Sequence, residues 1–288
     1  MQSSLFDQVQ SGRPPRPESV GKADVAYRTA SSLLTPGKGF MSAYDYTLNP
    51  YSGCTFGCAY CYAAFFARSK EKVDGWGRWV TVKENALALL RKKRARGTLR
   101  GKTIYLSSVT DPYQPVERTL ELTRDLLREL ADHHQPRLVV QTRSPLVTRD
   151  LDLFVRFEHV QVNVTVTTDD DEVRRAFEPS CPNNRVRLKA VGEVVASGVP
   201  AVVTMTPLLP VRDPDTFANA LLATGAERFV VQPFHATKGQ FVAGTREEAV
   251  RASDVLGWTD DRYRETVLVL AARLPDLREG KDGFAPMP

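Results

Sequence analysis

The chain has 288 residues, 42% of them hydrophobic and 25% charged, proportions of an ordinary globular protein long enough to bury a sizeable core. No apolar run approaches the ~20 residues of a membrane span, which sets membrane-spanning functions aside. Against 34 Asp and Glu stand 39 Lys and Arg, and the net charge of +5 leans weakly towards an anionic partner.

Residues 1–40 contain Arg13-Pro-Pro-Arg-Pro17 and no apolar segment of the kind a targeting peptide needs, so they read as a partly flexible N-terminal arm. The expected compartment is the cytoplasm, where thiols stay reduced. Residues 41–240 are expected to form the main domain and residues 241–288 a C-terminal helical extension. A strand is expected over Tyr44–Asn49. It leads to Cys54-Thr-Phe-Gly-Cys58-Ala-Tyr-Cys61 and then to a helical stretch from about Tyr60 to Ser69. The next helix, Val82–Arg94, carries the basic run Arg91-Lys92-Lys93-Arg94-Ala-Arg96, followed by Arg100 and Lys102. This run is either a solvated helix C-terminus, where cations complement the macrodipole, or a phosphate-contacting patch. Strand-like runs follow at Thr103–Ser108, Arg137–Thr142, Val160–Thr167, Ala201–Thr206 and Arg228–Gln232. Helical patterns lie between them at Arg118–Ala131, Leu151–Phe157, Arg185–Ser197 and Pro214–Ala223, with Gly198 as a stop signal. Such alternation argues for βαβ units and a parallel sheet. No Gly-x-Gly-x-x-Gly follows any strand, which weighs against a dinucleotide-binding doubly wound sheet.

Sites in parallel α/β folds lie at the C-terminal ends of strands. The polar residues at those ends are Ser107, Ser108, Thr110 and Asp111; Gln141, Thr142, Arg143 and Ser144; Asn163, Thr165 and Thr167; Thr204 and Thr206; Gln232 and His235. The three cysteines of the 54–61 window can hold one metal centre, and the remaining cysteine is Cys181. Three ligands leave a coordination position vacant, which marks a reactive centre rather than a structural zinc site. Thiolates suit an iron–sulfur cluster, with zinc as the alternative.

The Cys-x3-Cys-x2-Cys spacing, with Tyr60 before the third cysteine, resembles the signature of the radical S-adenosylmethionine (SAM) superfamily. The resemblance implies a partial (β/α)6 barrel of parallel strands. It also implies that Cys54, Cys58 and Cys61 ligate a [4Fe–4S] cluster whose fourth iron is chelated by SAM. One electron, from a donor such as flavodoxin or ferredoxin, would then cleave SAM to a 5′-deoxyadenosyl radical. Further segments resemble the spore photoproduct lyase branch. They are Asn49-Pro50-Tyr51-Ser52-Gly53, Tyr60-Cys61-Tyr62, Thr110-Asp111-Pro112-Tyr113-Gln114-Pro115, Gln141-Thr142-Arg143-Ser144, Glu178-Pro179 and Thr206-Pro207-Leu208-Leu209-Pro210.

That branch implies action on DNA, as a lyase repairing a damaged or modified thymine. It implies that Thr110 and Asp111 hold the SAM amino group. Arg143 and Thr165 stand near the SAM carboxylate, Ser108 lies among the cofactor contacts, and Thr206 stands near adenine. Arg143 replaces the lyase's lysine; it offers a bidentate fork for a carboxylate, or a salt bridge to a nearby acid. Tyr60 and Tyr62 match a radical relay, although an aromatic at Tyr60 also serves as a cover over the cluster. The lyase's hydrogen-donating cysteine falls at Ser108, and a serine O–H bond is too strong to quench a carbon radical. Cys181, in Glu178-Pro-Ser-Cys-Pro182, is the candidate thiol in its place, or an ordinary buried cysteine. Two alternatives remain: a radical SAM enzyme modifying a peptide, tRNA or small metabolite, and a non-catalytic iron–sulfur or zinc protein.

Overall fold

The computed structural model of the protein describes residues 16–235 and 245–286. Among these residues the strands are β1 (Ser19–Val20), β2 (Ala23–Arg28), β3 (Leu34–Pro36), β4 (Tyr46–Leu48), β5 (Tyr51–Ser52), β6 (Trp79–Lys83), β7 (Thr103–Leu106), β8 (Arg137–Thr142), β9 (Val160–Thr165), β10 (Ala201–Met205), β11 (Arg228–Val231) and β12 (Asp276–Glu279). The larger sheet has the order β12-β11-β10-β9-β8-β7-β4-β3. Every neighbouring pair from β4 to β12 is parallel, and β3 joins antiparallel at the edge. The edge strands β3 and β12 are not paired with each other, so the barrel stays open. This is the partial parallel barrel expected from the sequence.

Strand periodicity divides the side chains between two layers. Ile104, Leu106, Leu138, Val140, Val162, Val164, Val203, Met205, Phe229 and Val231 belong to the main core, shared with the surrounding helices. Tyr105, Val139, Val202 and Val230 turn the other way and form a separate cluster with Tyr44 and Phe284. Farther along the strands that inner face becomes polar. Gln141 of β8 donates to Thr165 of β9 at 2.8 Å and to Thr204 of β10 at 3.1 Å. The barrel is therefore apolar inside at its N-terminal end and polar towards the end where a site can be built.

Several elements differ from the sequence expectation. Within the segment read as an N-terminal arm, residues 1–15 lie outside the described residues, and strands occupy 19–20, 23–28 and 34–36. β2 pairs parallel with β6, completing a second sheet of order β1-β2-β6-β5. β6 takes Val82 and Lys83 from the expected helix Val82–Arg94, which begins instead at Ala86. The β-branched run Val80-Thr81-Val82 fits a pleated surface better than a helix. The stretch from Tyr60 to Ser69 is a 3₁₀ turn over Tyr62–Phe66, followed by a short helix, Lys70–Asp74. The expected helix Arg118–Ala131 is two pieces, Glu117–Leu120 and Leu122–His133, broken at Glu121 with φ of 48°. An additional helix, Asp171–Phe177, is capped by Asp170, which accepts from Glu172 N at 2.7 Å. In the C-terminal segment, helices Glu247–Val255 and Asp260–Arg273 precede β12, which adds a seventh parallel strand.

Candidate active site

The cysteine loop follows β5 and is built from tight turns. Cys54 O accepts from Gly57 N at 3.3 Å, Cys58 O from Cys61 N at 3.1 Å, and Cys61 O from Ala64 N at 3.2 Å. Gly57 has φ of 60°, and a Cβ there would lie 3.0 Å from Gly77 Cα. Only glycine meets both demands cheaply. Ala59 N donates to Phe177 O at 2.7 Å, and Gln114 Oε1 accepts from Thr55 N at 3.0 Å, so two distant segments hold the loop's shape. All four cysteines are free thiols; Cys54, Cys58 and Cys181 are buried and Cys61 is half-buried.

Among the described residues no three Cys, His, Asp or Glu side chains are gathered around a single-ion position. Tetrahedral zinc draws its thiolates to within ~3.8 Å of one another, whereas an iron–sulfur cluster takes one thiolate per iron over a wider frame. Three soft thiols in one loop are a donor set that an iron–sulfur cluster takes, one thiolate per iron. Burial resists ionisation of Cys58, but the Cys181 thiol and the Arg143 guanidinium bring it below the usual thiol range. Burial pushes Cys54 well up, with Asp111 adding to it. Burial and Cys58 raise Cys61 to about 11. A metal centre must therefore displace protons from Cys54 and Cys61 on binding.

Arg143 follows directly on β8. Its Nη1 donates to Cys58 Sγ at 2.8 Å and Tyr60 OH at 2.8 Å, and lies 3.2 Å from Glu178 Oε1. The guanidinium thus reaches the cysteine loop and also makes the salt bridge that its sequence position allows. Tyr60 OH donates to Glu178 Oε1. Glu178 Oε2 meets Arg187 Nη2 at 2.5 Å. Burial opposes ionisation of Glu178, but Arg187 and Arg143 hold its carboxyl at about 2. Cys181 Sγ lies 3.5 Å from Cys58 Sγ, packed with Phe177, Leu209 and Ala249 behind the loop.

Asp111 joins the ends of β7 and β8. Its Oδ1 accepts from Tyr113 N at 2.9 Å and Thr142 Oγ1 at 2.7 Å, and its Oδ2 accepts from Arg143 N at 2.9 Å. Oδ2 retains an acceptor position for an ammonium group. Thr110 Oγ1 donates to Gly53 O at 2.6 Å, tying this loop to the cysteine loop. Ser107 is buried in the left-handed region at φ of 74°, a strain of ~1–3 kcal/mol of the kind concentrated at functional sites. Beside it, Ser108 Oγ accepts from Asn49 Nδ2 at 3.4 Å, and Ser108 O accepts from the exposed Tyr62 OH. Thr165 Oγ1 accepts from Gln141 Nε2 and lies 3.0 Å from Thr204 Oγ1; with Thr204 donating, the Thr165 proton stays free for an anion. Thr206 is half-buried at the end of β10, before the cis peptide to Pro207.

The basic run lies elsewhere. β4 and β7 are parallel, so the crossover between them returns to the N-terminal end of β7, opposite Asp111 and Arg143. Arg91 and Arg94 pair with Glu129 at 3.5 and 3.7 Å, Arg100 forks onto Glu158, and Lys102 meets Asp45 at 2.9 Å. Four of these cations are thus taken by carboxylates of the chain itself. His235, from the strand-end group, is exposed. Sequence reasoning misses Arg187. Its one local signal is an arginine on the buried stripe Arg187, Ala190, Val191 and Val194 of helix Asn184–Ala196.

The profile of the Radical SAM superfamily matches residues 48–223. An uncharacterized protein of Methanocaldococcus jannaschii is 34% identical over 189 residues, 66% of this chain and 69% of its own length. An uncharacterized protein of Mycobacterium tuberculosis is 29% identical over 250 residues, 81% of this chain and 72% of its own. Among solved structures, spore photoproduct lyase complexed with dinucleoside spore photoproduct aligns with a TM-score of 0.61 at 13% identity, covering 95% of this chain and 92% of that one. A mutant of that lyase with bound AdoMet and dinucleoside spore photoproduct aligns at 0.62 and 12%, with the same coverage.

Proposed function

The chain belongs to the radical SAM superfamily, and from that premise we propose that it cleaves SAM reductively at a [4Fe–4S] cluster held by Cys54, Cys58 and Cys61, and acts on nucleic acid. The observation that carries the reading is Arg143 Nη1 at 2.8 Å from Cys58 Sγ, a strand-end cation brought onto the cysteine loop from the third parallel strand. When bound, the cluster supplies the electron that breaks SAM to methionine and a 5′-deoxyadenosyl radical. The chain's own residues hold and orient. Arg143 and the Thr165 hydroxyl take the SAM carboxylate, a charge-assisted contact. Asp111 Oδ2 and Thr110 take the amino group, and backbone at Thr206 faces adenine. Tyr62, exposed and donating to the Ser108 carbonyl, forms with Tyr60 the radical relay of this reading. Cys181, sealed behind Cys58, belongs to the wall of the cluster pocket in this reading. Nucleic acid as substrate draws support from the lyase-like fold and the basic balance.

The test is anaerobic reconstitution with iron and sulfide, then SAM and dithionite. About four irons per chain and formation of 5′-deoxyadenosine are expected, and neither in a triple Cys→Ala variant. A reconstituted protein that leaves SAM intact, beside a control enzyme that cleaves it, ends the proposal. Ser108 in the lyase's thiol position favours a second reading, a peptide, tRNA or small-metabolite substrate. A SAM-cleavage rate that responds to peptide or tRNA and not to DNA selects it.

A further inference from the structure

Glu178 and Arg187 are both 0% exposed and meet at 2.5 Å beside the cysteine loop. A buried pair of this kind gives little stability over well-packed apolar groups, because desolvation offsets the attraction. Its surroundings supply another reason for it. Arg187 is itself fixed, donating from Nε to Pro182 O at 2.8 Å and from Nη1 to Thr165 O at 3.2 Å. Arg187 thus offers the carboxylate a fixed positive charge, met as an ion pair rather than through a hydrogen bond. Glu178 Oε1 then gathers Tyr60 OH, Arg143 Nη1 at 3.2 Å and Thr167 Oγ1 at 3.2 Å. Tyr60 and Arg143 also touch each other, and Arg143 touches Cys58.

We propose that Glu178, braced by Arg187, is a positioning residue that aims the Arg143 guanidinium at the carboxylate of SAM beside the cluster, with the Tyr60 hydroxyl, which donates to Glu178 and accepts from Arg143, completing the brace. This rests on the SAM reading above. Two guanidinium groups flank one carboxylate, so Glu178 does not cancel the charge of Arg143, and a surplus remains to be shared between the Cys58 sulfur and a further anion. That surplus is what an anionic cofactor group meets. Without the carboxylate the two guanidinium groups repel with no anion between them, and Arg143 loses its anchor. Outer partners of this kind act through the groups they orient, and their loss typically lowers affinity by 10–100-fold.

Iron-reconstituted Glu178→Gln is compared with wild type by equilibrium SAM binding and by the electron paramagnetic resonance of the reduced cluster with and without SAM. The expected variant has wild-type iron content, a SAM Kd raised about tenfold, and a SAM-induced spectral change that needs correspondingly more SAM. Unchanged affinity overturns the role. Glutamine leaves Arg187 buried without an anion, so the double variant Glu178→Met/Arg187→Met, which removes the pair, separates folding from positioning. If the pair only supports the fold, the double variant regains wild-type affinity, and the proposal is overturned. If Glu178 positions Arg143, the double variant keeps its iron and still binds SAM weakly. Wild-type protein with no SAM-dependent spectral change overturns the SAM reading itself. Wild-type binding with undiminished variants overturns only the role of Glu178.

Discussion

Lys83 ends β6 directly opposite Arg28 of β2, so two cations face each other across a parallel pair. Burial, with Arg28 adding to it, lowers its ammonium to about 8. In the unfolded chain a lysine titrates near ~10.4. Below pH 8 both states carry the charge, and the folded state bears the full burial penalty. Between about 8 and ~10.4 the unfolded state binds more protons, so stability rises with pH. Above that range the penalty is gone. Lys83→Met is therefore expected to raise the melting temperature at about pH 7 by about 2 °C. The gain should fade by about pH 10.5, read by thermal unfolding of both proteins across that range. A gain that is constant with pH contradicts the assignment. At the same scale, the cysteines, Asp111 and Arg143 are legible in the sequence because each is a chemically distinctive residue in a dense motif. Arg187 is not, because its role depends on the carboxylate it meets through the fold.

At the scale of elements, the cysteine loop is shaped from below by the second sheet. Gly53 has φ of 80°, and a Cβ there would lie 2.5 Å from the Trp79 ring of β6. Gly53→Ala is expected to displace the loop and lower iron per chain after reconstitution, with the far-ultraviolet circular dichroism unchanged. Gly21→Ala provides the comparison. It has φ of 59° but open space around the missing Cβ, so it costs about 1 kcal/mol and leaves iron content alone. Iron loss in neither protein shows that β6 does not shape the loop. β6 is hard to read from sequence because only Glu84 and Asn85 separate it from the next helix, and Val82 stands at helical spacing from Ala86 and Leu89, so it can be read into the helix. The parallel strands are legible because their flanking helices separate them into short apolar runs.

For the whole molecule, net charge and its distribution point in different directions. The excess of +5 favours an anionic partner, but the densest cationic run lies at the end of the barrel away from the cysteine loop. There Lys92, Lys93 and Arg96 line a groove of about 300 Å³ with Ser31 and Ser32. Binding to DNA oligonucleotides is expected to weaken between about 50 and 200 mM salt, as phosphate contacts require. Lys92→Ser/Lys93→Ser/Arg96→Ser is expected to keep the wild-type salt slope, because those cations serve a solvated helix end. A slope reduced by about three counterions assigns the groove to the phosphates instead. The edge strand β12 and the Phe284 contact with Tyr44 and Tyr105 also belong to this scale. A short polar strand such as Asp276–Glu279 carries no apolar alternation of its own, so only a neighbouring edge can recruit it.

The sequence by itself determined the three-thiol loop, the parallel architecture and the strand ends that carry polar groups. Each is written in local spacing: three thiols in one loop, and apolar runs alternating with helices. The tertiary structure decided what those groups do to one another. It set Arg143 on Cys58, sealed Glu178 between two arginines, packed Cys181 behind the loop and turned the basic run to the far end. The physical reason is that Coulombic and hydrogen-bond interactions depend on distance and burial, and neither is fixed for residues tens of positions apart until the strands pair.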